Sequence, residues 1–237
     1  MEKKMKKSVV AILVILSSVL LAICRAKPMT TGEIIAKCAE AMGGIEKIKV
    51  VKTLRFKSVY PDHGYHPLVF EMKRPNLSMN PAVNLVFDGQ RACFLKGQDN
   101  ESASELVNEE EWKDFEVEIA FKFPAFFDYP VEYAGEERFN EKTHYKLAVA
   151  LPLGAKMNYF IDQESFLIAK ITTDFVLYGE ERHAEQECSD YREVDGVLFP
   201  YGFTYGSRTG QMKGWIHSIE INFPISDGYF DIPDDMD

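Results

Sequence analysis

The chain has 237 residues, 46% of them hydrophobic, and a formal charge of -10 at pH 7, a balance too apolar for general disorder and suited to one folded domain. The first 26 residues contribute five basic side chains and one acidic one, so residues 27–237 carry -14. A surface that acidic repels phosphate backbones and anionic headgroups, which argues against nucleic acid as a partner and against electrostatic docking on a membrane.

Lys3, Lys4, Lys6 and Lys7 precede an apolar run over residues 9–23. At about fifteen residues it is shorter than the roughly twenty that span a bilayer, and it reads as a secretory signal peptide over residues 1–26. The expected product is a soluble, exported, periplasmic protein. Cys24 follows Leu21-Ala22-Ile23 in a lipoprotein-box arrangement, but Ile23 is bulkier than the small residue such processing takes, so a lipid anchor at Cys24 is the alternative reading. Of the later cysteines, Cys38, Cys93 and Cys188, at least one is unpaired, and without CxxC spacing they read as small buried side chains.

After the leader, Thr30 or Thr31 can cap a helix whose apolar positions Ile34, Ile35, Cys38, Ala41 and Met42 recur at helical spacing, with Gly43-Gly44 ending it. Alternation then takes over. Leu54 and Phe56 share a face, as do Leu68, Phe70 and Met72. Asp88-Gly89 lies between two short apolar runs and is the strongest hairpin signal in the chain. Residues 104–123 break the alternation and read as a second helix, with Glu109, Glu110 and Glu111 near its N-terminus and Pro124 at its end. The tract Phe121-Lys122-Phe123-Pro124-Ala125-Phe126-Phe127-Asp128-Tyr129-Pro130 follows, a proline-bounded aromatic loop. Hairpins continue to the end, with turn chemistry at Asn140-Glu141-Lys142, Pro152-Leu153-Gly154, Asp162-Gln163-Glu164, Asp195-Gly196 and Ser207-Arg208-Thr209-Gly210.

The class is α+β, mostly β: ten or eleven antiparallel strands in a meander, in a single domain over residues 27–237. Accumulated twist curls such a sheet into a barrel or half-barrel, and one this wide needs helices or a ligand in its hollow. The predicted wall is Leu54, Phe56, Leu68, Phe70, Leu85, Phe87, Tyr145, Leu147, Tyr159 and Ile161. The predicted cover or lid is Trp112, Phe115, Phe121, Phe123, Phe126, Phe127 and Tyr129, with permanent core as the rival role for its rings.

Several stretches resemble the LolA and LolB periplasmic lipoprotein carriers and the broader group of outer-membrane lipoprotein-sorting-like proteins. They are Ala41-Met42-Gly43-Gly44 with Ile45-Glu46-Lys47-Ile48, Tyr133-Ala134-Gly135-Glu136-Glu137, Tyr159-Phe160-Ile161-Asp162, Ser189-Asp190-Tyr191-Arg192-Glu193-Val194-Asp195-Gly196 and Phe230-Asp231-Ile232-Pro233. The resemblance implies an unclosed antiparallel barrel with helices over its concave face and an apolar cavity for acyl chains. Burying a chain of fourteen to sixteen carbons, at about 0.8 kcal/mol per methylene, supplies on the order of 10 kcal/mol before ordering costs. The carriers' functional arginine lies on an early strand; Arg55 stands on such a strand and is assigned no role. The protruding hydrophobic loop of the outer-membrane receptor is not evident.

Signatures of catalysis are missing: no GxSxG, HExxH, Walker or GxGxxG motif occurs. Asp62, His63 and His66 read as a hairpin loop rather than a metal site. His183 stands among acidic residues, and His144 and His217 lie in strands without a nameable partner. The expectation is a non-enzyme without metal or cofactor, a monomer that binds lipid or lipoprotein acyl chains and passes them to an envelope acceptor. The alternative is a protein-interaction module docking through its acidic face near residues 180–187; a hydrolase is the weakest reading.

Overall fold

The computed structural model describes residues 28–61, 66–96, 104–207, 210–226 and 228–233. The predicted signal peptide, and Asp62 and His63 of the histidine tract, lie outside them.

From Thr31 onward the chain forms helix α1 (Thr31–Ala41) and α2 (Ile45–Val50), then strands β1 (Thr53–Val59), β2 (Leu68–Lys73), β3 (Leu77–Asn80), β4 (Leu85–Phe87), β5 (Ala92–Phe94) and β6 (Glu105–Leu106). Helix α3 (Trp112–Lys122) follows, introduced by a 3-10 turn at Glu109–Glu111 and succeeded by another at Ala125–Phe127. The remainder is β7 (Val131–Phe139), β8 (Lys142–Ala150), β9 (Lys156–Asp162), β10 (Ile168–Leu177), β11 (Glu180–Val194), β12 (Val197–Ser207) and β13 (Gly210–Ile221). These form one antiparallel sheet in the order β6-β5-β4-β3-β2-β1-β13-β12-β11-β10-β9-β8-β7.

Thirteen strands replace the ten or eleven expected. The additions are short: β3 follows a turn through Arg74, Pro75 and Asn76, and β6 has two residues. The predicted helix over residues 104–123 is correspondingly trimmed to α3 and its 3-10 turn, because Glu105 and Leu106 pair with Phe94 and Cys93 on β5. The Asp88-Gly89 hairpin forms with a four-residue loop, since the last pair is Phe87 with Ala92 and the Asp88 carboxylate accepts from the amides of Gln90 and Arg91. In the second half the turns sit where positive φ is tolerated, at Asn140 and Glu141 and at Asp195 and Gly196.

Only one pair of neighbours in the sheet is distant in sequence: β1 with β13. That pairing leaves β6 and β7, consecutive in the chain, as the two outer edges. The sheet is therefore not closed, and the segment joining its edges, residues 107–130, must bridge the opening. This segment contains α3 and the proline-bounded turn, and its aromatic rings pack on the inner face of the sheet. The long edge β7 is guarded by exposed charges at Glu132, Glu136, Glu137 and Arg138.

The two faces are covered differently. On the inner face, Phe115 stacks on Phe87, Phe123 meets Phe199, and Phe126 meets Tyr159, with ring centroids 5.9, 6.4 and 5.0 Å apart. Helix α1 adds buried Ile34 and Cys38, followed by buried Met42. It ends against the β11–β12 turn, where the Leu198 amide donates to the Met42 carbonyl and a Cβ on Gly43 would lie 2.0 Å from the Gly196 oxygen. Glycine at φ +112° is the residue that allows this approach. On the outer face of β3–β5, Phe230 and Ile232 of the C-terminal segment pack with Met79, Val86 and Cys93. The three cysteines of this part are free; burial raises the thiols of Cys38 and Cys188 to about 12, which makes them inert.

Candidate functional site

The bridging segment is bound to the barrel by its backbone. The Tyr159 hydroxyl donates to the Ala120 carbonyl and accepts from the Ala125 amide, each at 2.9 Å. The Gln186 amide donates to the Phe121 carbonyl at 3.4 Å, and the Leu153 amide to Glu116 Oε2 at 3.0 Å. Glu116 is 2% exposed, and burial pushes its carboxyl up to about 7. Tyr129 is likewise raised to about 12 by burial first, then by the charges of Glu116 and Asp128.

Arg74 fastens the segment from the other side. Its guanidinium makes a two-point ion pair with Asp128 at 3.0 and 2.7 Å, donates to the carbonyls of Ile48 and Val51, and lies 4.1 Å from the Phe123 ring centre. One side chain so connects α2, the end of β2 and the bridge, with the planar donor fork that lysine lacks. Arg55 faces outward instead, paired with Glu71 and Glu220 and stacked on Phe223. A further tie closes the rim, where Tyr178 in the β10–β11 turn donates its amide to Glu110 and its hydroxyl to Glu111.

Of the predicted wall, Leu54, Phe56, Phe70, Phe87, Leu147, Tyr159 and Ile161 are buried, and on the inner face they pack beneath the bridge. Tyr145 is half-buried and stacks on Phe166. Leu85 is half-buried, and Leu68 is 47% exposed at the start of β2. Of the predicted cover, Phe121, Phe123 and Phe126 are buried. Phe115 and Phe127 are half-buried, as is Tyr129, and the Trp112 indole donates to the Val107 carbonyl. The wall and cover residues thus meet as a packed interior around the bridge.

Open space lies further along the strands. A cavity of about 350 Å³ is bounded by α3 on one side, through Asp114, Val117, Glu118, Phe121 and Lys122, and by the inner face of the sheet on the other. The sheet supplies Tyr60 after β1, Phe175, Gln186, Phe203, Tyr205 and Met212. The helix residues recur at i, i+3, i+4, i+7 and i+8, which is one stripe of α3. Phe203 folds across Gly214, where any Cβ would stand 2.5 Å from the ring, and meets Tyr60 edge-on at 5.4 Å. The Lys122 ammonium lies 5.5 Å from the Phe203 ring centre. Asp114 is raised by burial and by Glu111, partly offset by Arg182.

Apart from Phe121, the lining was not singled out from sequence. The signal was present in the alternation of Phe203 and Tyr205 and in the helical stripe, but the strands that carry it extend past the bridge by an amount that no local pattern encodes. The cavity combines aromatic and aliphatic walls with polar groups from both α3 and the sheet, the makeup of a small-molecule pocket, and its lining contains no histidine or cysteine. His144 lies on the outer face, stacked on Phe139 with Nε2 3.9 Å from Asp162, and burial lowers its pKa. His183 pairs with Asp174 on the same outer side. Among the described residues no three His, Cys, Asp or Glu side chains are placed to share a metal, and no helix is long and apolar enough to cross a membrane.

An unclosed antiparallel half-barrel bridged internally by a helix defines the class: the fold is LolA-like. The chain superimposes on a LolA superfamily protein from Nitrosomonas europaea with a TM-score of 0.52 and 11% identity, over 86% of this chain and 99% of that one. A DUF1329 family protein from Desulfovibrio piger gives a TM-score of 0.49 at 14% identity, over 84% and 97% of the two chains. No family model and no curated protein sequence matches.

Proposed function

We propose that this protein is a non-catalytic, exported binding or carrier protein that takes an acyl chain of a lipid or lipoprotein into the half-barrel and yields it to an envelope acceptor. The observation that carries the reading is the apolar, aromatic-lined cavity between α3 and the inner face of β10–β13. Its rings and the Met212 side chain offer dispersion contact without fixed polar geometry, which suits a flexible alkyl chain. The LolA-like fold supports the same reading. The wall and cover read from sequence enter it as the space a longer chain reaches when α3 lifts: Leu54, Phe56, Phe70, Phe87, Leu147, Tyr159 and Ile161 beneath, Phe115, Phe123 and Phe126 above. The Arg74 clamp and the Tyr178 tie resist that movement, so loading is coupled to their release.

Native mass spectrometry of the mature protein, purified from a bacterial periplasm without detergent, tests this. A stoichiometric acylated mass is the expected result. A bare protein mass that persists after incubation with lipid vesicles overturns it.

A second reading has its own observation. Glu181, Glu185, Asp174 and His183 line a shallow depression of about 720 Å³ on the outer face of β10 and β11, a surface suited to a basic protein partner. Pull-down with the Glu181→Lys, Glu185→Lys double variant distinguishes it, since acyl binding at the inner face is untouched by that change.

A further inference from the structure

The cavity is small and its rim carries both signs of charge, and the two facts together narrow the ligand. At about 350 Å³ the cavity lies at the small end of the range of small-molecule pockets, a size suited to a single alkyl chain.

The rim is formed by α3, where Asp114, Glu118 and Lys122 follow one another at one-turn spacing. Around it the protein is strongly acidic, with -14 over residues 27–237. Two carboxylates and one ammonium at one mouth therefore form a dipolar patch of mixed sign in a negative field. A bare carboxylate head entering there gains Lys122 but meets Asp114 and Glu118. A bare ammonium gains the acids but meets Lys122, which lies over the Phe203 ring. A head bearing both signs satisfies both.

We propose that the pocket is built for a single-chain zwitterionic amphiphile of the lysophospholipid class, with the chain among Phe175, Phe203, Tyr205 and Met212, the phosphate toward Lys122 and the ammonium toward Asp114 and Glu118. This rests on the acyl-binding reading above and specifies its ligand.

The experiment is calorimetric titration of the mature protein with three twelve-carbon probes below their micellar concentrations: dodecylphosphocholine, dodecanoate and dodecyltrimethylammonium. The expected result is one site per chain, with dodecylphosphocholine bound at least tenfold more tightly than either singly charged probe. Met212→Trp fills the pocket and weakens all three at least tenfold with the melting temperature kept. Val117→Phe, on the helix side of the same pocket, does the same if the first variant fails to fold. Lys122→Gln reduces the preference for dodecylphosphocholine over dodecyltrimethylammonium, an outcome that mere packing damage does not produce. Equal affinity for dodecanoate, or two probe molecules per chain, overturns the proposal. If the protein instead takes up diacyl phosphatidylethanolamine from vesicles and ignores dodecylphosphocholine, the acyl-binding reading stands and this assignment falls. If neither the probes nor vesicle lipid bind, both fall.

Discussion

The half of the sheet from β1 to β6 and the far ends of β10–β13 are made of the same antiparallel material and differ in what covers them. Strands β2–β6 are two to six residues long, with the bridge and its aromatic rings on the inner face and the C-terminal segment on the outer face of β3–β5. Strands β10–β13 are ten to fifteen residues long and continue past the bridge, so at their ends α3 covers one side of a hollow and nothing among the described residues fills it. The difference teaches that the interior of this fold is partitioned. One part is spent on stability, and the ligand space is what the bridge leaves uncovered.

The sharpest way to break that comparison is to empty the packed interior around the bridge. Phe126→Ala removes a 4%-exposed ring from between Phe127 and Tyr159 and is expected to cost about 3–5 kcal/mol; urea unfolding measures it, and a loss below about 1 kcal/mol makes the bridge a loosely seated lid rather than core. Arg74→Ala leaves Asp128 without its partner and two carbonyls without donors, with an expected loss of about 3 kcal/mol or more. Hydrogen exchange then shows faster opening of the amides of Phe123, Phe127 and Tyr129, while β10–β13 keep their protection.

Acidity separates the two faces. Glu116 has its carboxyl raised from 4.5 to about 7, so the folded state holds the proton more tightly than the unfolded chain. Stability from this group is full below pH 4.5 and declines as pH rises toward 7, by up to about 3 kcal/mol. Glu116→Gln is expected to flatten that decline and to raise the melting temperature at pH 8. Asp162 behaves in the opposite sense. Burial raises its pKa, but the amide and hydroxyl of Ser165, the Lys142 ammonium and the Glu164 amide outweigh it and hold the carboxyl at about 2. Its contribution, about 2 kcal/mol, is present above pH 4 and lost as pH falls through 2, and Asp162→Asn removes that acid limb from the pH profile. The smallest effect belongs to the pocket: Met212→Ala, at a half-buried position with open space beside it, is expected to change stability by less than about 1 kcal/mol while altering ligand affinity.

Much of this architecture was legible residue by residue. Asn140, Glu141, Asp195 and Gly196 mark turns because they adopt positive φ, and the strands on either side follow within a few positions. Alternation also put Leu54 and Phe56, Leu147, Tyr159 and Ile161 on the inner face. The short strands β3 and β6 were not legible, since two to four residues carry no period. Arg74 was missed for a different reason. Its partners Asp128, Ile48 and Val51 are 23 to 54 residues away, and nothing near it in the chain marks a clamp.

The amino-acid pattern by itself determined an antiparallel, mostly β domain with two amphipathic helical segments and an aromatic tract between prolines, because turn dihedrals and period-two burial are local physics. Only the tertiary structure decided that β1 closes on β13, that the segment joining the two edges therefore crosses the inside, and that the hollow survives between α3 and the ends of β10–β13. Those outcomes depend on pairings between residues as much as 167 apart, Leu54 with Ile221 among them. The volume left over is a difference between two surfaces, each set by the packing of the other.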